Sequence, residues 1–195
     1  MANRLFLIGI LSIIITDVTF CQEGNPSLLD APEGWRPEFM RFPLPFAPSL
    51  DYKGAEDIRF APGWSDKSSK EFWAYSFLWY LDEDPQLTPQ KLEKDFVLYF
   101  DGLMKVVGEE KGLDSGDMKR TSASFSRSGA NGFKGQVNIF DAFFSQQEIQ
   151  LNFDLEESFC EKATKHLTLF RISPQNYDNE VWNSLRQVQL GVDCK

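Results

Sequence analysis

The sequence predicts an α+β domain: an antiparallel β-sheet meander with helices packed on it, in an α/β/α-sandwich-like arrangement. Three observations predict it. The stretch EFWAYSFLWYL, Glu71 to Leu81, carries six aromatic residues in eleven positions and is apolar on both faces. From Pro89 to Val107 apolar residues recur at three- and four-residue steps. From Met118 onward, short apolar segments follow one another with only brief turns between them. A covered central strand, a helix to cover it and sequential antiparallel strands account for all three.

Each element has its own local warrant. Residues 22–54 hold Pro26, Pro32, Pro37, Pro43, Pro45 and Pro48, a density that excludes long helices and central strands. Trp35, Phe39, Met40, Phe42, Leu44 and Phe46 punctuate this segment, so it reads as an extended arm with its rings tucked against the domain formed by residues 55–195. AEDIRFA, Ala55 to Ala61, reads as a strand stopped by Pro62-Gly63. In the aromatic stretch, Trp73, Tyr75, Phe77, Trp79 and Leu81 share one face, and Phe72, Ala74, Leu78 and Tyr80 share the other. Thr88 is a good N-cap and Pro89 suits the first helical position. Leu92, Phe96, Tyr99, Phe100, Leu103, Met104 and Val107 draw the apolar face of that helix, and Gly108 offers a stop. RTSASFSR, FKGQVNIFDAFF, EIQLNFDLE and HLTLFRI then read as four strands. In the third, Ile149, Leu151, Phe153 and Leu155 point inward and Gln150, Asn152, Asp154 and Glu156 outward. YDNEVWNSLRQVQL reads as a closing helix capped by Asp178, with Val181, Trp182, Leu185 and Val188 as its stripe.

The order arm, two strands, helix, four strands, helix resembles that of the photosystem oxygen-evolving PsbP proteins and the nuclear-transport factor Mog1. The resemblance is one of element order, rests on no motif residue and implies no function.

The first 21 residues have the anatomy of a secretory signal peptide. A basic start, Met1 to Arg4, precedes an apolar run of eleven residues, Leu5 to Ile15, too short to span a bilayer, which needs about 20. Cleavage before Gln22 places Thr19 and Cys21 at the small-residue sites. The rival reading retains Cys21 as a lipidated N-terminus, and only then would the protein be tied to a membrane. Either way two cysteines remain, Cys160 and Cys194, an even pair suited to a disulfide in an oxidising, periplasmic or extracellular compartment.

Charge narrows the partners. The net charge of −9 comes without a basic run, which argues against nucleic acid and against attraction to anionic lipid. His166 is the only histidine, so neither a zinc site nor a histidine-based nucleophilic catalyst is supported, and no cofactor is expected. The acidic clusters Asp82–Asp84 and Asp114–Asp117 miss the calcium-loop pattern and read as surface turns. Most rings read as core. Those outside the strands, Trp64 after Pro-Gly and Trp35 in the arm, are the candidate ligand-binding residues. The functional expectation is an exported, non-enzymatic domain that binds a small ligand or an envelope protein in a cleft between arm and sheet. Two alternatives stand beside it. One is a carboxylate-dependent hydrolase acting on polysaccharide or cell-wall material, which no sequence spacing can locate. The other is a structural or assembly subunit of an envelope complex, contacting its partner through Gln150, Asn152, Asp154 and Glu156.

Overall fold

The computed structural model describes residues 27–114, 116 and 118–194. The expected signal segment and Cys21 lie outside the described residues, as do Ser115 and Asp117 of the second acidic cluster. The described chain forms a seven-stranded, fully antiparallel sheet, a two-stranded ribbon and two helices. The strands of the large sheet are β2 (Arg36–Arg41), β3 (Gly54–Phe60), β4 (Tyr75–Leu81), β5 (Ser122–Arg127), β6 (Gly132–Phe140), β7 (Glu148–Cys160) and β8 (Lys165–Ser173), in the order β2-β3-β4-β8-β7-β6-β5. Two meanders thus meet at the β4–β8 seam, where Phe77 pairs with Phe170. Helix α1 (Pro89–Glu110) carries the chain from the centre of the sheet to its far edge.

Strand β4 lies in the middle because both of its faces are apolar and both are covered. Tyr75, Phe77, Trp79 and Leu81 join the main core under α1, while Leu78 and Tyr80 belong to a second cluster on the opposite face. Helix α1 begins as its sequence dictates: the Thr88 hydroxyl accepts from the Lys91 N–H and Pro89 follows. Its stripe meets the sheet ring to ring, with Phe96 4.7 Å from Phe153 and 5.7 Å from Trp79 between centroids. The opposite face is covered by helix α2 (Val181–Gln187) and by a ribbon of β1 (Leu29–Asp30) with β9 (Gln189–Leu190).

Several local expectations are corrected. The proline-rich segment contributes the edge strand β2, where Pro37 is tolerated because only one side of the strand needs partners. The aromatic strand begins at Tyr75, because Trp73 adopts a left-handed φ of 55° and turns the chain just before it. Helix α1 runs past Gly108, and its stop is Gly112 at φ 70°. There Leu113 N–H donates to the Gly108 carbonyl and Gly112 N–H to that of Glu109, the pairing of a Schellman motif. The closing helix is shorter than its stripe suggests. Asp178 does not cap it; the Asn179 side chain accepts from Val181 N–H, and the last two residues of the stretch leave to form β9. Asn152, expected in solvent, is buried, accepting from Gln136 and donating to the Gln175 carbonyl.

The cysteine pair is formed: Cys160 and Cys194 are disulfide-bonded with Cα atoms 4.6 Å apart. The bridge is compatible with an extracellular or periplasmic location. No helix among the described residues is long and apolar enough to cross a membrane.

Candidate functional site

A ring-lined cavity of about 240 Å³ lies on the α1 face, between the edge of the sheet and the loops beside it. Strand β2 supplies Arg36, Glu38 and Met40, which alternate with outward residues and so share one face. Strand β3 supplies Ile58 and Phe60, and β4 supplies Tyr75. Helix α1 contributes Tyr99 and Leu103, one helical turn apart. Phe46 arrives from the arm, and Gly102 makes that approach possible. A Cβ on Gly102 would sit 2.0 Å from the Phe46 carbonyl oxygen, so only glycine lets α1 lie this close to the arm.

Two loops complete the walls. The loop between β3 and β4 is closed by Trp73 N–H donating to the Trp64 carbonyl at 3.0 Å, which brings both indoles to the cavity. The loop between β6 and β7 is built around the buried Asp141 carboxylate. It accepts from the backbone N–H groups of Phe143, Phe144 and Ser145 and from the Ser145 hydroxyl. That clamp presents Phe143 and Phe144 to the cavity, and Trp64 packs between Phe60 at 4.5 Å and Phe144 at 4.9 Å.

The polar groups of this wall are few and mostly donors. The indole N–H groups of Trp64 and Trp73 are buried and have no hydrogen-bond partner among the described residues. Such groups are uncommon in folded proteins, since each costs about 1–3 kcal/mol when left unpaired. The Tyr75 hydroxyl also makes no hydrogen bond among the described residues, and burial, followed by the nearby Glu56 charge, holds its pKa well above the ordinary value. Arg36 is exposed at the rim, its guanidinium 5.0 Å from the Phe60 ring centre and 5.5 Å from that of Trp64. It forms no ion pair among the described residues.

Glu56 stands next to this wall, fully buried on β3. It accepts from Trp79 Nε1 at 2.7 Å and from the Tyr99 hydroxyl at 3.0 Å. Burial pushes its carboxyl up to about 7; the two hydrogen bonds act downward, and Glu38 adds a small upward push. On the other face of β3, Asp57 and Arg59 form a buried pair that grips the start of the described chain. Asp57 accepts from the Leu28 and Leu29 N–H groups, and Arg59 donates to the Leu29 carbonyl and the Ser27 hydroxyl.

The structure separates the two tryptophans singled out in the sequence. Trp64 is part of the cavity wall; Trp35 packs on the opposite face, against the clusters around Leu169 and Trp182. His166 is the second residue of β8 and packs against Phe159, 4.9 Å between ring centres. Among the described residues no group of three or more His, Cys, Asp or Glu is placed to hold a metal ion. Reading the sequence missed Phe143 and Phe144, which look like the end of a strand. The signal that marks them is Asp141 two and three residues earlier, a side chain able to accept from the backbone of its own turn. It also missed Glu56, whose clue is its alternation with Ile58 and Phe60, which puts it on their face of the strand.

Comparison of the chain with protein-family models, with curated proteins and with solved structures finds no match in any of the three. The element-order resemblance to the PsbP and Mog1 sandwiches is thus not supported by any matching solved structure, and no activity or partner comes from it.

Proposed function

We propose that this chain is an exported, non-enzymatic binding domain whose ligand is a small, largely apolar molecule held in the aromatic cavity. The observation that carries the reading is the cavity wall itself: eight aromatic rings converge on a space open at the Arg36 rim, and two of them carry buried, unpaired N–H groups. Binding sites commonly combine an apolar lining with a few polar groups that fix orientation. The space suits a small ligand, such as one ring with a short chain. Export is proposed from the N-terminal sequence, and the disulfide is in keeping with it.

The test is isothermal titration with single-ring probes, using indole and 3-phenylpropanol. Leu103→Trp, which fills the cavity from α1, is expected to abolish binding. Trp64→Ala is expected to weaken it, and Trp35→Ala, on the far face, to leave it unchanged. Equal affinity in wild type and Leu103→Trp would remove the cavity as the site.

A further inference from the structure

Resting on that reading of the cavity, we infer that its ligand is a compact apolar carboxylate, an arylalkanoate or a short fatty acid, with the acid group at the Arg36 rim and the hydrocarbon among the rings. The polar groups of the wall are mainly donors: Glu38 at the rim is an acceptor, and the Tyr75 hydroxyl can act either way. Trp64 and Trp73 line the wall and carry buried indole N–H groups without a partner among the described residues, groups that donate and cannot accept. Arg36 offers a fork of donors with no carboxylate partner among the described residues, its guanidinium carbon 5.0 Å from the Phe60 ring centre and 5.5 Å from that of Trp64. A ligand that satisfies these groups must bring acceptors, and a carboxylate brings two oxygens in the geometry a guanidinium matches. A cationic ligand would leave the indole donors unpaired and meet Arg36 across the same rings. Glu38 shares the rim; it and Arg36 are both exposed, so solvent screens both charges, and the two form no ion pair with each other. The ring surface then rewards an apolar body, and the small volume limits it to one ring or a short chain.

The experiment compares 3-phenylpropionate, 3-phenylpropanol and 3-phenylpropylamine, three probes of one shape that differ in the head group. The acid is expected to bind about 10- to 100-fold more tightly than the alcohol, the span of one charge-assisted hydrogen-bonded pair, and the amine most weakly. In Arg36→Met the acid's advantage should fall to within about threefold of the alcohol, with the far-ultraviolet dichroism unchanged. Arg36→Lys should restore part of it, since the charge returns without the fork. In a spectrum of the five indole N–H groups, the Trp64 and Trp73 resonances should move with the acid, and each is assigned by its Trp→Phe variant. If the alcohol or amine equals the acid, or if Arg36→Met keeps the full preference, the ligand class is wrong while the cavity reading stands. If none of the three binds, the cavity reading falls and this inference with it.

Discussion

Replacing Glu56 by Gln should remove most of the pH dependence of folding stability between about pH 5 and pH 7.5. In an unfolded chain this carboxyl titrates near its ordinary value of 4.5, whereas in the folded protein burial raises it to about 7. Below 4.5 both states hold the proton and neither is favoured. Between the two values the folded state keeps the proton and the unfolded state has released it, so stability falls as pH rises. Above 7 the fold must carry a buried carboxylate, and the loss is complete. Each pH unit of difference corresponds to about 1.4 kcal/mol, so the total is about 3 kcal/mol. Gln fits the same space. Its carbonyl can accept from Trp79, and its amide can donate to the Tyr99 hydroxyl oxygen, the two groups that now face the acid. The assay is urea unfolding of both proteins at half-unit steps of pH. Asp95 is also raised, chiefly by burial, and adds a slope of the same sign. It does so in wild type and variant alike, so the difference between the two curves isolates Glu56. Parallel curves would refute the reasoning, because they would mean that the residue titrates alike in both states.

Four further outcomes follow from the packing. Reducing the Cys160–Cys194 bridge, which spans 34 positions, should cost about 4 kcal/mol by the loop-closure argument, seen as a lower urea midpoint under reducing conditions. Asp57→Ala leaves Arg59 buried without its carboxylate and should cost about 3–5 kcal/mol, and the double variant Asp57→Ala, Arg59→Met should recover part of that in the same assay. Phe96→Ala removes a ring that five others contact within 6 Å and should cost about 3–5 kcal/mol in thermal unfolding. Gly102→Ala should cost about 1–3 kcal/mol by pushing Phe46 off the helix, and it should weaken any cavity ligand measured by titration.

What the sequence disclosed and what it hid divide along physical lines. Helix α1, the covered strand β4 and the alternating strands were legible because burial repeats with a period that sequence records. The Thr88 cap and the disulfide were legible because few residue types can do those jobs. The β1–β9 ribbon was not, since two-residue strands have no period to detect. The stop of α1 depends on which of two glycines takes positive φ, and Gly108 and Gly112 look alike in a string of letters. Trp35 and Trp64 both sit outside periodic segments, so nothing in their spacing tells which side of the sheet each will reach. The cavity is assembled from six separate segments, and its shape exists only once strand order is known. Asn152 obeyed its alternation and still became buried, because the turn after β8 folds back over it.

The grip of Asp57 and Arg59 on residues 27–29 has a mechanical consequence. A pull on Ser27 would reach β3 through that buried ion pair within a few residues, before the ribbon could peel. A pull on Cys194 would bypass β9 altogether, because the sulfur bridge hands the load to Cys160 at the end of β7. Tension between the two points would therefore run across β3, β4, β8 and β7, four neighbouring strands inside the sheet. The ring-lined hollow faces away from the anchoring points, on the side where α1 lies. A domain strung between two such tethers would keep its pocket in shape while under strain.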